Sequence, residues 1–410
     1  MKNNKKNLIL NTIGASCLSF TSLIFLIIVT RINGIDDAGV FSFAFSLACV
    51  MQVIANFGGR SYQVTETNNK ILDSDFVYSR IVNCLLMIIA TIVFILFNDY
   101  TNEKIIIIFL LVLFRGIESF QEVFYGIIQR NEELFKVGIS MLAKALISVF
   151  IFLAVDIITN NLIIATLTLA FSYLFVFFTY DLFNIKKLDF KFSRISILNI
   201  KKIMTGSFSV FIFTLLTQYV MNASKFAIDG YLPDQAQAIF GILIMPATLM
   251  VLCSQFLIQP FLTTFSFLIK NNKPKELNKL VIKINAWLLA IGIFVLIISY
   301  FIGIPILNFI YGIDLDEYLG LLLIVISGSI LFAISYVLCN VLIAMRKNTI
   351  QAIIYTIASI FTLIISFIMV RVFNLDGSVY AYALTMLVLL LMYIAYYAYC
   401  IKGWKTNAKN

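Results

Sequence analysis

The sequence contains no histidine. That excludes imidazole metal sites and any histidine proton relay. Charge is scarce as well: 12% of the 410 residues are Asp, Glu, Lys or Arg, against about 25% in soluble domains. So little charge cannot cover a globular surface in water, and the solvent for most of this chain must be lipid. Proline is limited to 5 residues and glycine to 18, so long helices run with few interruptions. The six cysteines (Cys17, Cys49, Cys84, Cys253, Cys339 and Cys400) lie in apolar runs and form no CxxC pair. They read as small buried hydrophobes, neither disulfides nor metal ligands. No P-loop or dinucleotide fingerprint is present, which removes an ATP-driven motor and a nucleotide cofactor.

What remains is apolar and aromatic. Hydrophobic residues make up 61% of the chain, with 39 Phe and 19 Tyr, a composition suited to lipid-facing surfaces and interfacial belts. A span needs roughly 20 apolar residues. Runs of that kind occur near 8–30, 38–57, 76–97, 104–128, 136–156, 161–183, 204–225, 236–262, 281–302, 318–343, 349–370 and 378–401. The expected fold is therefore all-α and polytopic, with about twelve transmembrane helices. The basic N-terminus (Lys2, Lys5, Lys6) followed by residues 8–30 is too long for a signal-peptide core and reads as a retained first helix.

The net charge of +9 does not signal nucleic acid, because the basic residues form short clusters between the spans. They report topology and contact with anionic membrane lipids. With the N-terminus placed in the cytoplasm, 23 of the 30 Lys and Arg fall in inner segments, 4 in outer ones (Arg31, Lys104, Lys225, Arg371) and 3 inside spans (Arg80, Arg115, Lys144). The positive-inside rule then sets both termini in the cytoplasm. The basic segment 184–203 divides the spans six and six, giving an N-terminal lobe at 1–190 and a C-terminal lobe at 191–410. Two spans of six have the same orientation, as in parallel-repeat transporters. The outer loops are short, the longest being 303–317.

Ionisable residues within spans are functional candidates by default. The fourth span carries Arg115, Glu118 and Glu122 at i, i+3 and i+7 on one face, continued by Gln129. The fifth carries Lys144 between Ser140 and Ser148. Glu118 and Lys144 lie at a similar depth, roughly 12–13 Å from the inner end at 1.5 Å per residue, so antiparallel neighbours would pair them. The set reads either as a structural network or as cavity lining. The seventh span carries a longer stripe, Thr214, Gln218, Asn222, Lys225 and Asp229. This reads as functional lining, with a snorkelling interface end as the plainer alternative. Arg31, at the outer end of the first span, divides between interface and cavity in the same way. Arg31, Arg115, Lys144 and Lys225 are candidate substrate-binding cations for an anionic group, with Gln218 and Asn222 as candidate hydrogen-bonding partners. Glu118, Glu122 and Asp229 could carry a coupling proton or Na⁺, or belong to a structural network; no other cofactor is expected. Pro246 and Pro260 are candidate kinks in the eighth span.

Several stretches carry a family resemblance. The first hairpin reads RINGIDDAGVFSFAFSL from Arg31, and the seventh-to-eighth connection NASKFAIDGYLPDQAQAIFGI from Asn222. FIYGIDLDEYLG begins at Phe309 and LIAMRKNT at Leu342. In order and spacing, over about residues 8–400, these resemble the Wzx-type O-antigen and polysaccharide flippases of the multidrug/oligosaccharidyl-lipid/polysaccharide (MOP) exporter superfamily. The resemblance implies two six-helix lobes around a central cavity and alternating access. It implies a lipid-linked oligosaccharide as substrate, carried on undecaprenyl pyrophosphate across the cell inner membrane. A polysaccharide polymerase and a chain-length regulator are the implied protein partners. A drug or organic-cation exporter of the same superfamily is the alternative, and would favour an apolar, anionic cavity. A membrane polymerase or ligase would need a large outer loop, which the sequence lacks.

Overall fold

The computed structural model describes residues 2–66, 71–188 and 190–407, and helices account for nearly all of them. Lys70 and Lys409, counted above among the inner charges, lie outside the described residues. The chain divides into two compact units, Met1–Gln218 and Tyr219–Asn410. The boundary between these units falls within a helix.

Unit 1 begins with α1 (Lys2–Ile32), α2 (Ile35–Asn56) and the short α3 (Gly59–Thr65). Gly34, at φ 98°, turns the chain between α1 and α2, a conformation glycine adopts without a Cβ penalty. Asp36 and Asp37 then occupy the first turn of α2, where the helix dipole favours negative charge. Next come α4 (Asp73–Leu96), α5 (Asn102–Arg130), α6 (Leu134–Thr159) and α7 (Leu162–Val176). A π-helical segment, Phe177–Asp181, joins α7 to α8 (Leu182–Lys186). The long α9 (Ile197–Tyr231) follows.

α1 and α6 pack through glycines. A Cβ at Gly14 would lie 2.2 Å from the Gly138 carbonyl oxygen, and one at Gly138 2.2 Å from that of Leu10. Small residues let helix backbones approach this closely, the usual device where lipid supplies no hydrophobic drive. α5 is the central helix of the unit. Leu111, Phe114, Ser119, Gln121, Phe124 and Tyr125 are all buried, and it packs against α2, α3, α4, α6 and α7.

Unit 2 contains α10 (Asp234–Leu243), α11 (Met245–Ile258), α12 (Leu262–Lys270) and α13 (Pro274–Ile298). α14 (Ile304–Tyr311), α15 (Leu319–Ala344) and α16 (Asn348–Asn407) complete it. Pro246 sits in the first turn of α11, and Pro260 in a 3₁₀ turn, Gln259–Phe261. The expected eighth span is therefore broken at both prolines, because neither can continue a helical ladder. The 60-residue α16 is likewise interrupted, at Asn374 (φ 54°, ψ −132°). The segment 303–317, expected as a loop, is largely the helix α14, entered through a second π-helical segment, Ser299–Gly303. Proline at the start of α14 costs no hydrogen bond, so the apolar run continues as helix.

Among the described residues, ten helices are long and apolar enough to cross a membrane, α16 entering as one continuous stretch. α5, at 29 residues, is outside those ten. Its apolar middle is interrupted by Arg115, Glu118 and Glu122.

Candidate functional site

The charged face of α5 organises a polar network inside unit 1. Arg115 and Glu118, one turn apart, form an ion pair at 2.5 Å, with less than a fifth of each side chain exposed. Gln52 of α2 donates to the same Glu118 oxygen at 3.0 Å. The Arg115 guanidinium also reaches Cys49 Sγ at 3.4 Å and stacks over Phe45, 4.5 Å from the ring centre. This arginine is fixed by charge, hydrogen bonding and cation–π contact together.

Lys144 does not meet Glu118. Its ammonium lies 3.1 Å from Asp181 Oδ2, and both side chains are 2% exposed or less. Lys144 also donates to the Tyr125 hydroxyl, which shares a 2.8 Å hydrogen bond with Ser140, and it lies over the Tyr125 and Tyr173 rings. The expected Glu118–Lys144 pair is therefore replaced by two separate pairs. The reason is local. The π-helical segment closes i→i+5 hydrogen bonds, with the Leu182 N–H bonded to the Phe177 carbonyl. This shifts the register that follows α7 and turns Asp181 inward. A π-segment of this kind is rare and is found frequently at functional sites; here it accompanies the buried ion pair.

Glu122 is half-buried, and its charge acts on three cations: Arg60, Arg80 and Lys144. Arg60 of α3 donates to Gln129 at 2.7 Å. Arg80 of α4 is buried and bonds Asn56 and the Ala55 carbonyl. Beside it lies a cavity of about 20 Å³, lined in part by Asn56, Tyr62, Ser79, Arg80, Asn83 and Ser207. A water needs roughly 10–15 Å³ by this measure, and the polar walls suit one.

The sequence-predicted residues thus separate by place. Arg115, Glu118, Glu122 and Lys144 come together around α5. Gln218, Asn222, Lys225 and Asp229 share a face of α9, each half-buried. Arg31 is exposed at the C-terminal end of α1. Sequence reasoning missed Asp181, though it is the one acid in the apolar run 161–183. It also gave Arg80 no partner and placed Arg60 in a loop.

No protein-family model matches the chain. Solved structures do. A multidrug resistance MATE family transporter of the MOP superfamily, in an inward-facing conformation, superposes with a TM-score of 0.74 over 98% of this chain and 99% of that one, at 12% identity. The lipid II flippase MurJ, in an inward closed conformation, also gives 0.74, over 94% of this chain and 87% of that one, at 15% identity. The chain has the fold of these two proteins. Among curated proteins, the capsular polysaccharide biosynthesis protein CapF of Staphylococcus aureus is 26% identical over 403 residues, spanning 97% of this chain and 99% of the relative. That fold, with ten helices among the described residues long and apolar enough to span, makes the chain a multi-pass membrane protein. The fold shared with these solved structures is the one that the Wzx-type resemblance implies.

Proposed function

We propose that the chain is a flippase that carries an undecaprenyl-pyrophosphate-linked oligosaccharide unit across the cytoplasmic membrane by alternating access. In this reading it has twelve spans and both termini are in the cytoplasm. The observation that carries the reading is the end-to-end match to a capsular polysaccharide biosynthesis protein, 97% of one chain on 99% of the other. The chemistry of unit 1 supports it. A pyrophosphate needs cations held where water is scarce, since ionic contacts strengthen there. Arg60, Arg80, Arg115 and Lys144 are cations inside a unit that also contains their counter-charges Glu118, Glu122 and Asp181. Gln218, Asn222 and Lys225 on α9 would receive sugar hydroxyls and a further anionic group. A proton or Na⁺ exchanging at Glu118, Glu122 or Asp229 would couple transport to an ion gradient. A polymerase and a chain-length regulator would act on the delivered unit.

Deletion of the gene tests the reading in cells. Surface glycan should disappear while the lipid-linked unit accumulates inside. Normal surface glycan in a deletion strain without a second flippase would defeat it.

A drug exporter is the second reading, favoured by the 0.74 TM-score with a multidrug transporter. Uptake of a fluorescent organic cation into inverted vesicles, driven by an imposed ion gradient, would favour it over the flippase.

A further inference from the structure

Unit 2 contains a cation-edged apolar groove unrelated to the α5 network. It lies between α13 and the chain around the 3₁₀ turn Gln259–Phe261, has a volume of about 290 Å³, and is lined by Leu257, Phe261, Leu280, Lys283, Ile284 and Trp287. Its walls are almost wholly apolar. Lys283 is its one charge.

Lys283 belongs to a stripe. Lys275, Lys279, Lys283 and Trp287 follow one another at four-residue steps on α13, which places them along one side. All four are exposed, Trp287 at 61%. The nearby acid, Glu276, is engaged by Lys273 at 2.9 Å. Among the described residues, Lys275, Lys279 and Lys283 form no ion pair. Three uncompensated cations thus run along the start of a membrane-length helical stretch, Pro274–Tyr311, and end at a tryptophan over an apolar groove. The groove can hold only something apolar, and the stripe above it calls for an anion. A tryptophan between them is the residue that settles at the headgroup level.

We propose that this is a binding site for an anionic phospholipid of the surrounding leaflet. An acyl chain fills the groove against Leu257, Phe261, Leu280 and Ile284. The phosphate meets Lys279 and Lys283, whose stems lie along apolar surface while their ammonium groups reach the headgroup. The site does not depend on what the protein transports.

The test uses the full-length protein, purified and delipidated in detergent, with phosphatidylglycerol or phosphatidylcholine added back. Native mass spectrometry counts retained lipid and a thermal ramp reports stabilisation. Phosphatidylglycerol should bind more tightly than phosphatidylcholine and raise the midpoint further. The double variant Lys279→Gln/Lys283→Gln should bind phosphatidylglycerol about tenfold more weakly or worse and lose the extra stabilisation. Trp287→Ala should weaken both lipids. The control Lys201→Gln/Lys202→Gln removes the same charge from unit 1 and should leave the preference intact. Equal binding of the two lipids by the native protein would overturn the proposal. So would an equal loss in the control, or an unchanged preference in the double variant. Undecaprenyl phosphate displacing phosphatidylglycerol at equimolar amounts would also overturn it, by assigning the groove to a polyprenyl chain.

Discussion

Lys144 of α6 and Asp181 of the π-helical segment face each other at 3.1 Å with both side chains buried. Removing one partner strands the other charge in an apolar interior, typically at a cost of about 3–5 kcal/mol. Lys144→Met and Asp181→Leu should each lower the melting temperature of the purified protein sharply. The double variant should recover most of the loss, because a buried ion pair adds little over apolar residues of similar volume. A double-mutant cycle with no coupling between the two sites would reject the pairing.

The α1–α6 crossing leaves no room at Gly138, where a Cβ would lie 2.2 Å from the Leu10 carbonyl oxygen. Gly138→Val must push the helices apart. Folded yield should fall severalfold, whereas Gly320→Ala, where nothing lies within 4 Å, should be tolerated. The comparison is read by size-exclusion chromatography of the two variants; equal monodisperse yield would contradict the close crossing.

Arg115 separates two roles. If its guanidinium contacts the anionic head, Arg115→Ala should reduce surface glycan severalfold at normal protein level. Arg115→Lys should then also be impaired, since lysine cannot form a bidentate fork. If the residue serves only Glu118 and Phe45, Arg115→Ala should reduce the protein level itself. Immunoblotting beside a surface-glycan stain distinguishes these outcomes.

The proposed orientation rests on the distribution of basic residues. Single cysteines at Lys191 and Asp316, in a background without native cysteines, should label differently in intact cells. Position 316 should react with a membrane-impermeant thiol reagent, and position 191 only after the membrane is opened. Reaction of position 191 from outside would invert or abolish the assigned topology.

The helical, multi-pass character was legible in the sequence: 12% charge points to lipid, where helices and closed barrels satisfy the backbone, and uninterrupted apolar runs of about 20 residues select helices. The polar face of α5 was legible too, since Arg115, Glu118 and Glu122 break an apolar run at helical spacing. Their partners were not. Helical periodicity assumes 3.6 residues per turn, and the π-helical segment that ends at Asp181 departs from it. Depth arithmetic therefore matched Lys144 to the wrong acid. A loop was expected at 303–317 because the segment lies between the apolar runs 281–302 and 318–343, yet α14 forms there. In the structure Pro305 starts the helix, and Gly312, at φ 72°, ends it. Arg80 was visible as a charge within a span, but its contact with Asn56 depends on how α2 and α4 pack, which no local pattern encodes.

The central claim is translocation of a lipid-linked oligosaccharide. Its most direct measurement is a leaflet assay in proteoliposomes containing the purified chain, a fluorescent lipid-linked oligosaccharide and an imposed ion gradient. A membrane-impermeant quencher added outside reports the fraction of substrate exposed. Vesicles containing the native protein should let the quenched fraction rise beyond the outer-leaflet half within minutes. Arg115→Ala protein at equal incorporation should slow that rise. A quenched fraction that stays at the level of protein-free vesicles, under both proton and Na⁺ gradients, would contradict the account.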